Sequence, residues 1–255
     1  MPDAERGLSV YDFMSRIRYS ETAADARLSL VGIMNYFQDC STFHSEDAGV
    51  GLSFYEKEQK TWLLSSWQIV IERRPALGET VRIGTWPYGY KGIYGLRNYA
   101  MYDLQGNFLV KANSCWFLMD LKEGRPLRVT EADLAPYGKG DPKLSMDYAP
   151  RKIALPEQME EAGRFVVMRH QIDTNHHMNN AHYVDMAGEA LPESGEIGEI
   201  RAEYKKAAML GDQVVIRRGE SPSGWVFSLC REDGEIFANV ELKRKQDEKE
   251  KTAEG

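Results

Sequence analysis

"FVVMRHQIDTNHHMNNAHYVDMAGEAL", residues 165–191, changes character twice in one short run. "FVVMRHQI" is apolar and β-branched and reads as a strand. "NNAHYVDMAGEAL" reads as a helix stopped by Pro192. Asn179 and Asn180 are favourable N-cap residues, because a short side-chain oxygen accepts a first-turn N–H that has no partner within the helix. The loop between strand and helix gathers an acid, amides and imidazoles, with Asp173, Asn175 and His177 at alternate positions.

The flanking sequence extends the pattern. Downstream lie "EIGEIRAEYKKA", "GDQVVIRRGE", "GWVFSLCRED" and "EIFANVELKRK", all strand-like and bounded by turn residues. Upstream, "SLVGIMNYFQDCSTFHSED", residues 29–47, sets Leu30, Ile33, Met34, Phe37 and Cys40 at three- and four-residue steps. That spacing predicts a helix buried on most sides. After a break at Gly49 and Gly51 come the strand-like runs "WLLSSWQIVIERR", "TVRIGTWPYGY", "YGLRNYAMYD" and "NFLVKANSCWFLMDL". One helix followed by an antiparallel meander therefore occurs twice.

Local echoes support a duplication. "LGETVRI" and "LGDQVVI" lie 133 residues apart, Gly78 to Gly211, and "DLQGNFLVKANSCWF" and "REDGEIFANVELKR" lie 128 apart, Gly106 to Gly234. Between the halves, five of the ten prolines fall from Pro126 to Pro156, so that segment is neither one helix nor a central strand. The expected organisation is an α+β fold. An N-terminal unit spans residues 1–125, a proline-rich crossing linker 126–162, a C-terminal unit 163–245 and a charged, disordered tail 246–255. Each unit is expected to be a central helix wrapped by a curved antiparallel sheet.

Bulk properties narrow the function. A net charge of −7 argues against nucleic acid, since neutralising phosphates takes a basic surface. Cys40, Cys115 and Cys230 are too few and too scattered for a disulfide framework, and fit a reducing compartment. No run approaches the roughly 18 apolar residues of a membrane span. "MPDAERGLSVYDF" has charges where a secretory signal needs its apolar region, so the expected location is the cytoplasm. The basic pairs Arg73-Arg74, Lys205-Lys206 and Arg217-Arg218 suit strand ends, or a docking patch for an acidic partner.

"DTNHHMNNAHY", residues 173–183, resembles the D-x-N-x-H-x-N-N-x-x-Y signature of acyl-acyl carrier protein thioesterases. "LVGIMNYFQDCSTFHSEDAGVG" resembles that family's first helix, "ERRPALGETVRIGTW" its next strand pair, and "DLQGNFLVKANSCWFLMDLKEGRP" the hairpin ending its first unit. The resemblance covers residues 11–242. It implies two tandem hotdog units, the first housing the acyl chain and the second carrying the reacting groups. It also implies hydrolysis of fatty acyl-acyl carrier protein in fatty acid biosynthesis, without a cofactor. Lacking a plastid-type transit peptide, the chain resembles the bacterial-type members.

The implied catalytic residues are Asp173, Asn175 and His177, and their chemistry suits the reaction. A carboxylate orients or deprotonates water, an imidazole titrating near neutrality shares the proton, and a carboxamide fixes water or carbonyl. The helix N-terminus at Asn179 and Asn180 offers N–H groups to the oxyanion. The family's further carboxylate lies in a segment reading Y-R-R-E-C or Y-x-K-E-A. Here "EYKKAA" puts Ala207 at the glutamate and Ala208 at the cysteine of some members. Asp173 then carries the base role alone, or turnover is slow. Glu189 is a reserve carboxylate with a structural role as its simpler reading.

Other readings stay in view. Hydrolysis of acyl-coenzyme A, dehydration of β-hydroxyacyl thioesters with Asp39 as the helix acid, or weakly catalytic acyl-thioester binding would each use a similar pocket. His176 is expected at the surface, and His182 in packing or facing solvent. No two histidines of the motif have the i, i+4 helical spacing of a metal pair, so no metal is expected. Cys40 and His44 have that spacing, yet Cys40 falls on the apolar helix face and reads as core. Preferred chain length and pairing into a homodimer are left open by the sequence.

Overall fold

A computed structural model describes residues 10–138, 141–192 and 195–245. The expected tail, 246–255, lies outside them. Two compact units form: one from residues up to Leu64 with Arg73–Asp147, the other from Ser65–Glu72 with the chain from Tyr148 onward. This division differs from the expected boundaries at residues 125 and 163.

In the first unit, β1 (Tyr11–Arg16) leads through a loop to α1 (Leu30–Asp47), then α2 (Leu52–Glu58). The strand β2 (Lys60–Ile71) contributes to both units. The strands β3 (Thr80–Lys91), β4 (Tyr94–Tyr102) and β5 (Phe108–Asp120) follow, with a short β6 (Arg125–Pro126) and a single turn α3 (Glu131–Leu134). β1, β3, β4 and β5 pair antiparallel in that order. Helix α1 begins at Ser29, whose side chain accepts the Gly32 N–H at 3.0 Å. Ile33, Met34, Phe37 and Cys40 are wholly buried, as their spacing predicts. The Phe37 ring centroid lies 5.3 Å from that of Tyr99 on β4. Burying a side chain of this size stabilises the fold by about 1.5–3 kcal/mol.

In the second unit, β7 (Glu160–Val166) leads to α4 (Asn180–Glu189), then β8 (Ile197–Tyr204), β9 (Gln213–Ser221), β10 (Gly224–Cys230) and β11 (Ile236–Arg244). The antiparallel order runs from Ser66–Val70 of β2 through β8, β11, β10 and β9 to β7. The eight long strand runs and both helices read from sequence are present to within a few residues. Two local readings are corrected. α2 was not expected after Gly51. The run 165–172 is not one strand, because β7 starts at Glu160 and Arg169–Gln171 forms a 3-10 turn. The Gln171 side chain draws the Met168 N–H to itself at 2.8 Å, which takes the chain out of the ladder.

Within each unit the β-strand and loop entering the helix are built alike. The Ile17 carbonyl accepts the Gly78 N–H while its own N–H donates to the Glu79 carbonyl, and Val167 does the same with Gly211 and Asp212. Gly78 and Gly211 both have positive φ, +79° and +88°, which only glycine adopts freely. An isolated bridge joins Thr22 to Leu28 and another joins Ile172 to Met178, with Ala26 and His176 each left-handed between them. Corresponding loop residues lie 150 apart: Thr22 and Ile172, Ala26 and His176, Leu28 and Met178.

The proline-rich segment is tied down by buried polar side chains. In the first unit the Trp86 Nε1–H donates to the Pro142 carbonyl at 3.1 Å, and Asn98 Oδ1 accepts the Leu144 N–H at 3.0 Å. In the second, Gln68 Oε1 accepts the Ala149 N–H at 2.8 Å, and Glu203 accepts the Ile153 N–H at 3.2 Å. The end of β6, all of α3 and the start of β7 also fall inside the expected linker. No helix among the described residues is long and apolar enough to cross a membrane.

Candidate active site

The loop from β7 to α4 closes on itself before the helix begins. The Asp173 N–H donates to the His177 carbonyl at 3.0 Å, and the His176 N–H to the Asp173 carbonyl at 3.0 Å. Asp173 Oδ1 accepts the Asn175 N–H at 2.8 Å, an Asx turn that keeps the carboxylate against its own loop. With His176 left-handed, the chain reverses so that His177 Nδ1 lies 3.7 Å from Asp173 Oδ1. Both side chains are mostly buried, 19% and 17% exposed, while Asn175 and His176 are exposed. The loop therefore brings Asp173 and His177 together and leaves Asn175 at its rim.

Helix α4 starts at Asn179, whose side-chain oxygen accepts the Ala181 N–H at 2.9 Å. The Asn179 carbonyl accepts from His182 at 3.0 Å. Asn180, the first helical residue, has an N–H with no intrahelical partner available to it. Asn179 is the cap, and Asn180 opens the helix rather than sharing the capping role. Behind them, the Tyr204 hydroxyl donates to the Asn180 carbonyl at 2.9 Å, and the Tyr183 hydroxyl accepts the Ala208 N–H at 2.9 Å. Burial pushes the Tyr183 phenol up to about 12, with the Asp173 charge adding to it, and burial raises Tyr204 as well.

Ala207 is exposed and Ala208 wholly buried, with the Ala208 carbonyl accepting the Met178 N–H at 2.8 Å. The segment that lacks a glutamate thus abuts the loop. Glu203 does not replace it, because strand alternation sends its side chain to the opposite face from Tyr204, where it meets Ile153 and, at 3.8 Å, Arg151. Glu189 is exposed at the end of α4.

The other singled-out residues fall outside this arrangement. Asp39 is exposed on α1. His182 Nδ1 lies 3.8 Å from Asp185. Among the described residues, no group of three His, Cys, Asp or Glu side chains is placed as metal ligands. Cys40 is core: burial pushes its thiol up to about 12, and its Sγ faces the Ile83 carbonyl at 3.7 Å. His44 is held near 4 by burial and then by Arg97, whose guanidinium lies 3.2 Å from Nδ1. Arg73, Arg74, Lys205, Lys206 and Arg218 each face an acidic side chain.

The first-unit loop copies this backbone without its chemistry, placing Ala23, Asp25 and Arg27 where the second has Asp173, Asn175 and His177. Two family models match the chain in succession. The acyl-ACP thioesterase N-terminal domain matches residues 9–137 and the C-terminal domain 155–253. The chain belongs to the acyl-ACP thioesterase family. Among curated relatives of this family, a chloroplastic palmitoyl-acyl carrier protein thioesterase of Cuphea hookeriana is 25% identical over 207 residues, covering 74% of this chain and 50% of its own. A chloroplastic dodecanoyl-[acyl-carrier-protein] hydrolase of Cinnamomum camphora is 26% identical over 234 residues, 82% of this chain and 60% of its own. The chain thus spans about half the length of the curated relatives it matches. An acyl-ACP thioesterase of Bacteroides thetaiotaomicron superposes with a TM-score of 0.84 at 19% identity, covering 93% of this chain and 98% of that one. A 12:0-ACP thioesterase of Umbellularia californica gives 0.81 at 19% identity, over 94% and 98%. At that identity the likeness establishes the two-hotdog α+β fold alone. Sequence reasoning assigned no part to Tyr183, although it is the last residue of the motif, because its partner Ala208 is remote in sequence.

Proposed function

We propose that this acyl-ACP thioesterase family member hydrolyses the thioester between a fatty acyl chain and the phosphopantetheine arm of acyl carrier protein. The products are free fatty acid and holo-carrier protein. The observation that carries the reading is the pairing of Asp173 with His177 at 3.7 Å beside the mouth of α4, in a chain of this family.

Asp173 orients the water and draws its proton, and His177 passes that proton toward the leaving sulfur. The water oxygen bonds to the carbonyl carbon, the C–S bond breaks, and the thiol leaves protonated. The Asn180 N–H, in the open first turn of α4, faces the developing oxyanion, a contact of a kind that contributes on the order of 3 kcal/mol per donor. Asn175, exposed at the loop rim, holds the thioester carbonyl or the water. The steps use protein groups and water. The same reading places the reaction in the cytoplasm, with an acidic carrier protein docking through basic side chains and no nucleic-acid partner.

The alanine at 207 favours a second reading, an acyl-thioester binder with low turnover. Purified protein is incubated with acyl carrier protein and coenzyme A thioesters of several chain lengths, and free thiol is followed. Faster release from carrier protein than from coenzyme A supports the proposal. Tight acyl-carrier binding without release supports the binder, and preference for coenzyme A or hydration of an enoyl thioester replaces the substrate assignment.

A further inference from the structure

The motif tyrosine is joined to the reacting loop through a residue far along the chain. Tyr183, on α4, is only 2% exposed, and its hydroxyl accepts the Ala208 N–H at 2.9 Å. The other side of the same residue, the Ala208 carbonyl, accepts the Met178 N–H at 2.8 Å. Met178 is bridged to Ile172 and directly follows His177, so it closes the loop whose ends are Asp173 and His177. Ala208 is thus gripped on one side by the helix and on the other grips the loop.

The first unit supplies an internal comparison. There the Leu28 N–H donates to the Pro75 carbonyl at 2.9 Å, the counterpart of Met178 to Ala208. Pro75 has no N–H to be held, and the residue at Tyr183's place is Ile33, which has no hydroxyl. The loop carrying Ala23, Asp25 and Arg27 is tied to its neighbouring segment by further bonds of its own, among them Leu77 N–H to the Ala26 carbonyl and Arg27 to the Arg74 carbonyl, but the residue that latches it is not held from the helix. Only the loop carrying Asp173, Asn175 and His177 has its latching residue clamped by a helix hydroxyl.

We propose that Tyr183 is the positioning residue of the site, setting the Asp173–His177 spacing through Ala208 and Met178. A phenylalanine would fill the same space but leave the Ala208 N–H buried without an acceptor, freeing that residue to shift. Displacements of well under 1 Å in a supporting residue are enough to spoil a reacting geometry. The phenol, pushed up to about 12 by burial, stays protonated and neutral through the working range.

The kinetic arm of the test rests on the thioesterase reading, and a second arm does not. Tyr183→Phe is compared with Gln68→Leu, which strips the Ala149 N–H of its acceptor on the opposite face of the second unit's sheet. Melting temperature, kcat and KM on acyl carrier protein, and amide hydrogen exchange over residues 173–178 are measured for both. Tyr183→Phe should lower kcat by at least about tenfold with KM within about twofold, and speed exchange over 173–178 by at least about tenfold. Gln68→Leu, at a similar loss in melting temperature, should do neither. Unchanged exchange in Tyr183→Phe overturns the clamp, as does faster exchange with kcat retained, or an equal kcat loss in Gln68→Leu. Wild-type protein inactive on every acyl donor would fail the thioesterase reading instead, and exchange alone would then decide the clamp.

Discussion

Two adjacent histidines have opposite fates because the backbone turns between them. His176 adopts a φ of 63° and is exposed, whereas His177 turns inward toward Asp173. Glycine suits the left-handed position better than histidine does, so His176→Gly should keep melting temperature and turnover, checked by a melt and a thiol-release assay. Ala207 makes the opposite kind of prediction. It lies next to the residue that latches the loop, where the motif resemblance implies a glutamate, so Ala207→Glu should raise kcat by about tenfold as the added carboxylate shares proton transfer. An unchanged rate would mean that Asp173 needs no second acid. Motif spacing made Asp173 and His177 legible as neighbours, because four residues with a left-handed one among them bring them face to face. That Asn179 and not Asn180 takes the Ala181 N–H depends on side-chain geometry that spacing does not encode.

The two central helices were legible as elements because each couples an apolar stripe to a polar cap. Ser29→Ala removes the acceptor of the Gly32 N–H and should cost about 1 kcal/mol, read as a melting-temperature drop of a few degrees. His44, near the end of α1, makes the fold acid-sensitive. Its folded pKa of about 4 lies below the unfolded value of 6.5, so the unfolded chain binds the extra proton first. That contribution is fully present above 6.5 and is lost as pH falls toward 4. A chemical-denaturation series should show His44→Phe losing less stability than wild type over that window. An equal slope in both would contradict the burial account. The helix α2 escaped prediction because its seven residues are too few for a clear apolar period and its N-cap, Gly51, has no side-chain oxygen to signal a start. The 3-10 turn escaped because a valine-rich run looks like a strand until the Gln171 side chain takes the Met168 N–H.

Across the whole chain, a duplicated framework repeats main-chain bonds at matching loop positions while the side chains there differ. The downstream copies were visible as "LGETVRI" and "LGDQVVI" because a positive-φ glycine and an apolar strand constrain residue type. The upstream copies were not, since main-chain bonds hold the loops and any side chain satisfies them. The change in offset from 150 to 133 arises between Leu28 and Pro75 in the first unit and Met178 and Ala208 in the second, the interval in which α2 occurs in the first copy alone. The proline-rich segment, read as a linker, is held by Trp86, Asn98, Gln68 and Glu203, partners that no local pattern links to it. The central claim is that the second copy alone supplies the reacting groups. The most direct test is thiol release from acyl carrier protein by wild type, Asp173→Ala and His177→Ala at equal concentration, with melting temperatures recorded. The account predicts a loss of at least about tenfold in each variant with the fold retained. Near-normal rates in both would contradict it.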